Sequence, residues 1–284
     1  MDTRIVGLLA GQGHIAVSEH PRLRWSLSQL KASGELLTPL PGIYLSPGFT
    51  TTDWLKAVST WSSPHGVLHA GSAASIWLPE LTSPVAQLAH PSLRSRRNVE
   101  VTRRRIPPGF VMELPGLRLA APAYAAAELA ATDDGRAACE AIRLRLADSD
   151  NLLIALVALQ GTVGQEARRK AVLACRTNPW SYAELRLHRI LIGAGITDWV
   201  ANRPLRLGDR LLWPDVRFRR RRLILEFDGR TVHNQPSQFL IDRGHWNLFE
   251  AFGYHMLHFG WEHLDEPAEL VGIVRQAYRR AADC

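Results

Sequence analysis

With 284 residues, 46% of them hydrophobic and 21% charged, the chain has the composition of a protein with a packed core, not of a disordered, collagen-like or coiled-coil one; its length favours two domains or three small ones. Thirty-four cations against 27 anions give a formal charge of +7, which makes nucleic acid a fair candidate partner and no more. The longest unbroken apolar run, Leu152 to Leu159, is far short of the roughly 20 residues needed to span a bilayer. No charged start followed by a long apolar stretch marks a secretory signal. Three scattered cysteines, Cys139, Cys175 and Cys284, form neither a disulfide framework nor a zinc spacing, so a cytoplasmic protein without a membrane partner is expected. All cations but Lys31, Lys56 and Lys170 are arginines. Guanidinium suits bidentate phosphate contact, while an arginine bias also follows from a GC-rich genome.

Residues 1–50 read as a small helical unit with a hairpin. Ile5, Leu8 and Leu9 have helical spacing, and Gly11-Gln12-Gly13 closes that helix. Ile15 and Val17 lead to a short helix around Ser18–Pro21, and a third helix runs from about Ser26 to Ser33 with Gly34 as its stop. Glu35 to Leu45, turning through Pro41-Gly42, looks like a hairpin. This is the winged-helix order, in which the third helix, with Arg24, Ser28 and Lys31 exposed, would enter the major groove of duplex DNA. A helical cap or protein-binding unit is the alternative.

Residues 51–175 say least. Thr52–Trp61, Ser72–Leu78, Ala121–Ala131, Arg136–Leu146, Leu152–Leu159 and Gln165–Cys175 read as helices and Val99–Arg104 as a strand. Arg103, Arg104 and Arg105, with Arg94, Arg96 and Arg97 nearby, are candidate phosphate contacts or simply a solvated surface cluster.

Residues 176–284 carry the chemistry. A helix over Trp180–Ala194 precedes three strand-like runs, Trp199–Leu207, Leu211–Phe218 and Arg222–Phe227, the first two joined by a Gly208-Asp209 turn. A helix over Ser237–Phe252, a strand over Tyr254–Phe259 and a helix over Glu266–Ala281 complete an αβββαβα order. If the hairpin of the second and third runs is centred between Arg220 and Arg221, Asp215 falls opposite Glu226, with Cβ atoms about 5 Å apart, where like charges repel. Asp228 lies on the same side of its strand as Glu226. Either a hard divalent ion holds this crowd of carboxylates, or arginines of the 217–222 run neutralise them in a salt-bridged hairpin.

The stretch Pro214-Asp215, ten residues, then Glu226-Phe227-Asp228-Gly229 resembles the PD-(D/E)XK nuclease motif. It is most similar to the branch of very-short-patch repair endonucleases, in which E-x-D-G replaces the E-x-K ending. His233, Phe239, Asp242-Arg243, Asn247, Leu248, Gly253-Tyr254, Phe259 and Trp261-Glu262 extend that likeness. The first fifty residues resemble the winged-helix domain of abortive-infection type IV antitoxins. The segments Val67 to Ala74 and Ala121-Pro122-Ala123 resemble the middle of actinobacterial proteins that join the two.

The resemblance implies an α+β / α/β chain. Its parts would be a winged helix over 1–50, a mixed middle segment over 51–175 and a restriction-endonuclease-like domain over 176–284. It implies Mg²⁺ or Mn²⁺ held by Asp215 and Glu226, with Glu184 as the outlying acid; Ser181-x-x-Glu184 is equally a capping box. Asp228 stands where many relatives have a catalytic lysine, and no lysine follows Lys170. His233 is the nearest replacement as general base if it is not merely solvated. Arg243 would stabilise the scissile phosphate or pair with Asp228 or Glu250. The expected function is a metal-dependent DNA endonuclease of repair or defence, acting on double-stranded DNA. The alternative is an antitoxin-like DNA-binding regulator with an inactive nuclease-like domain and a toxin or defence partner.

Overall fold

The computed structural model describes residues 2–81, 85–228 and 246–284. The chain is α+β and separates into two compact units, Met1–Leu129 with Ala155–Gln160, and Ala130–Ile154 with Gly161–Cys284. The stretch 51–175 is thus divided between two units and does not stand as a third. No helix among the described residues is long and apolar enough to cross a membrane.

The first unit opens with α1 (Thr3–Gln12), capped by the Asp2 carboxylate and ended by Gly13 at φ +78°, whose N–H returns to the Leu9 carbonyl. The left-handed conformation at this stop is one that glycine adopts without strain. Strand β1 (Ile15–Ala16) and α2 (Arg24–Ala32) follow, then the hairpin of β2 (Leu37–Leu40) and β3 (Ile43–Leu45), in a sheet of order β1-β3-β2. Ile5, Ile15, Leu27 and Leu36 form the core beneath it. The helix expected at Ser18–Pro21 is instead a 3₁₀ turn at Pro21–Leu23. Proline lacks an N–H and has a preset φ, so it starts a helical turn more readily than it ends one.

Beyond α3 (Thr51–Trp61) lie β4 (Val67–Leu68), α4 (Ala70–Ala74), β5 (Ala86–Ala89), β6 (Val99–Thr102), β7 (Val111–Leu114), β8 (Leu117–Ala120) and α5 (Pro122–Leu129). The strands make a mixed sheet of order β6-β5-β4-β8-β7. Helix α4 starts two residues earlier than expected, where the Glu128 carboxylate accepts the Ala70 N–H at 3.1 Å, and it stops at Ala74, short of the expected Leu78.

In the second unit, α6 (Arg136–Arg143), α7 (Ser149–Ala158, shared between the units) and α8 (Gln165–Ala174) precede α9 (Tyr182–Gly193). Two runs expected as single strands are each broken. The first becomes β9 (Trp199–Val200) and β10 (Leu205–Leu207), and the second β11 (Arg210–Leu212) and β12 (Val216–Phe218). Asn202 at φ +50° and Pro204 interrupt one run, and Pro214 the other. The β10–β11 hairpin turns at Gly208-Asp209, with Leu207 opposite Arg210.

Strand β13 (Leu223–Phe227), a helix over residues 246–251 (α10), β14 (His255–Phe259), α11 (Trp261–Asp265) and α12 (Pro267–Arg280) complete the unit. The sheet order is β14-β13-β12-β9, with β13 and β14 parallel and the other pairs antiparallel. Val216, Phe218, Leu223 and Leu225 form the main core with Leu187, Leu191, Leu270 and Val274. Ile224 joins a smaller cluster with Leu207, Leu212 and Phe249.

Candidate active site

The register of β12 on β13 pairs Val216 with Leu225 and Arg217 with Ile224. One step further along the same ladder, Asp215 stands opposite Glu226, as the spacing predicts. The connection is longer than a two-residue turn: Phe218 ends one strand, Leu223 begins the next, and Arg221 and Arg222 are tied to the C-terminal segment through Asp283 and the Ala282 carbonyl. Four of the arginines that offered the salt-bridge alternative have other partners: Arg221 takes Asp283, Arg222 donates to the Phe252 carbonyl, Arg219 to the Thr197 carbonyl, and Arg220 faces Asp198 at 3.8 Å.

Asp215 and Glu226 are locked to one another's backbone. The Phe227 N–H donates to Asp215 Oδ2 at 2.8 Å, and the Asp215 N–H donates to the Glu226 carboxylate. Burial, then the charge of Glu184, pushes the Asp215 carboxyl well above the usual carboxylate range. Burial, then the charge of Asp215, does the same to Glu226. Among the described residues neither forms an ion pair, and the charges acting on both are other carboxylates. Withdrawal from water and mutual repulsion both disfavour ionisation, so the pair is an electrostatic debt that only a cation or protons can settle.

Glu184 is buried in the first turn of α9. Its N–H is capped by Ser181 Oγ at 3.1 Å, while its Oε2 accepts the Trp180 N–H at 2.8 Å and Asn202 Nδ2 at 2.6 Å. The capping half of the expectation is met only in part, since Ser181 caps Glu184 while the Glu184 carboxylate takes the Trp180 N–H and not that of Ser181; its charge is nevertheless felt at Asp215 and Glu226. Burial raises its carboxyl against the pull of those hydrogen bonds. Asn202 is held in turn by reciprocal bonds with Asn178, at 3.0 Å to the Asn178 carbonyl. The sequence reading missed Asn202, whose signal was an Asn just before Arg-Pro in a supposed strand. His188 was missed too. It sits one helical turn after Glu184 and is buried beside Trp199, with Nδ1 2.8 Å from Thr177 Oγ1. Burial pushes its pKa down to about 3, so the ring is neutral.

Asp228 is exposed, 3.5 Å from His258 Nδ1. His233 and Arg243 lie outside the described residues. Among the described residues, no three His, Cys, Asp or Glu side chains converge on one point as they stand. Glu184 points to its own helix start, leaving the Asp215–Glu226 pair as the nucleus. The donors available are all oxygens, the set that Mg²⁺ or Mn²⁺ prefers, and among the described residues the pair has no ion-pair partner; in donor chemistry the residues fit such an ion.

On the first unit, Arg24, Ser28 and Lys31 are exposed along one face of α2, beside the 74% exposed Trp25. Arg103 and Arg105 are exposed, whereas Arg104 turns inward to the Glu128 carboxylate, which also takes His69 Nδ1 at 3.0 Å. Cys139 and Cys175 are buried neighbours despite their separation, and the hydrogen bond between them raises the Cys139 thiol.

No protein-family model matches the chain, and a comparison with curated proteins gives no match.

Proposed function

We propose that this protein is a metal-dependent endonuclease of double-stranded DNA, with the second unit cutting a phosphodiester and α2 of the first unit seating the duplex. The observation that supports this reading is the buried Asp215–Glu226 pair, whose carboxyls are raised by burial and by one another's or a neighbouring carboxylate's charge. Burying such a pair costs stability, and binding a divalent ion is the use that offsets the cost. When bound, the ion supplies a polarised water and stabilises charge on the phosphate. The chain's part is to hold Asp215 and Glu226 at fixed separation through the Phe227 N–H bond, with Glu184 adding negative potential from behind. Asp228, exposed just past the end of β13, would be the third acid of the proposed site. His233 and Arg243 complete the proposed set as base and phosphate contact.

The test is cleavage of supercoiled plasmid and of mismatch-bearing duplex with Mg²⁺ or Mn²⁺, comparing the parent with Asp215→Asn and Glu226→Gln. Loss of at least about a hundredfold in rate in both variants is expected, the scale for removing an electrostatic element of a transition-state site. Cleavage unchanged in both overturns the assignment. The unconverged third carboxylate and the absence of any lysine after Lys170 favour a second reading, a DNA-binding regulator with a silent nuclease-like unit. Tight duplex binding without cleavage under either ion selects it.

A further inference from the structure

A cavity of about 600 Å³ in the first unit is walled by the segment that follows β6 and by residues of β4, β5, β7 and β8. We infer that it is a binding pocket for a phosphomonoester carried on an organic body of nucleotide size. The inference stands independently of the nuclease reading, since no residue of the acid pair takes part.

Four arginines line the cavity, and their environments differ. Arg104 is neutralised by the half-buried Glu128. Arg118 reaches Glu113 at 3.4 Å, the one carboxylate in the lining. Arg103 and Arg105 form no ion pair among the described residues and are exposed, on either side of the inward-turned Arg104. Within the Arg-Arg-Arg run, the Glu128 carboxylate takes the middle guanidinium and the outer two are without an ion-pair partner among the described residues. Two uncompensated guanidinium groups match a phosphomonoester, which carries about −1.5 to −2 near neutral pH, better than they match a single phosphodiester charge. Guanidinium also presents paired N–H donors to phosphate oxygens. Val67, Ile106 and Val111 supply an apolar wall for the organic body, and the volume lies in the range that encloses small ligands.

The ligand chemistry has two sources, a free nucleotide and the phosphorylated end of a nucleic-acid strand, and the experiment separates them. Full-length protein is titrated calorimetrically with dAMP and with deoxyadenosine, and with a short single strand bearing either a 5′-phosphate or a 5′-hydroxyl. The expected result is phosphate-dependent binding, of dAMP over deoxyadenosine or of the phosphorylated strand over its hydroxyl twin. The pair that shows the difference names the source. Arg103→Ala with Arg105→Ala is expected to weaken the phosphate-dependent binding about a hundredfold, tenfold for each charged hydrogen-bonding group. Because both side chains are exposed, the thermal midpoint should hold. Arg279→Ala with Arg280→Ala removes equal charge from exposed positions outside the cavity and should leave that binding intact. Binding indifferent to the terminal phosphate in both pairs, or an equal loss in the control variant, overturns the proposal.

Discussion

Asp215→Asn should make the metal-free protein more stable at pH 8. The amide oxygen can still accept the Phe227 N–H that Asp215 Oδ2 accepts at 2.8 Å, so the substitution removes a charge and keeps the bond. It also removes the charge that, after burial, contributes most to raising Glu226. Each tenfold suppression of ionisation is worth about 1.4 kcal/mol, so a gain of at least about 1.4 kcal/mol is expected, or about 3 °C for a unit of this size. The sign follows from linkage. Both carboxyls are raised in the fold, so between their unfolded values, about 4, and their folded values the native state binds more protons than the unfolded chain. Parent stability therefore falls as pH rises through that window, and the variant should lose up to about 1.4 kcal/mol per pH unit of the slope. Urea denaturation from pH 5 to pH 8 in a chelator measures this directly. A variant less stable than the parent at pH 8, or running parallel to it over the whole range, would refute the view that the fold disfavours ionisation of the pair.

Four further outcomes follow from the geometry. Glu184→Ala leaves the buried Trp180 N–H and Asn202 amide without their acceptor and should cost about 2–4 kcal/mol in urea melts, with Glu184→Gln recovering most of it. Glu128 responds to pH with the opposite sign to the acid pair. Burial alone would raise its carboxyl, but the His69 hydrogen bond and the His69 and Arg104 charges bring it below its usual range, so its contribution is present above about pH 4.5 and lost as pH falls through the folded value; Glu128→Gln should cost about 3 kcal/mol near neutrality and nothing at low pH. Gly13→Ala places a Cβ 2.0 Å from Asp53 Oδ1, in the capping box that starts α3, and at positive φ; a loss of about 2 kcal/mol by thermal denaturation is expected. Arg24→Ala with Lys31→Ala should weaken binding to all duplex sequences alike and flatten the log–log salt slope by about 1.8, as measured by anisotropy titrations in increasing NaCl.

The acid pair was legible because antiparallel register is arithmetic once a hairpin centre is chosen. The turn itself was not legible. Its four connecting residues are held by the C-terminal segment through Asp283 and Ala282, a long-range interaction without local trace. Helices with clear caps, such as α1 before Gly13 and α9 after Ser181, lay where the sequence put them. The five-stranded sheet of the first unit was almost wholly hidden. Its strands are two to four residues long, and Ala86–Ala89 has weak intrinsic strand preference, so pairing with neighbours decides the conformation. Asn202 illustrates the converse. A strand-like run was interrupted by a residue whose left-handed backbone lets its amide grip Glu184, and a local rule failed where a tertiary bond prevailed.

The sheet of the second unit rests on two unequal apolar clusters. The larger, joining Leu187, Phe218 and Val274, anchors the scaffold; the lesser, joining Leu207, Leu212, Ile224 and Phe249, ties the β10–β11 hairpin to α10. Such separation gives heredity two dials. Trimming Phe249 or Leu212 would loosen the hairpin's seat while the scaffold stays folded, so lineages can reshape what surrounds Glu226 without gambling the whole domain.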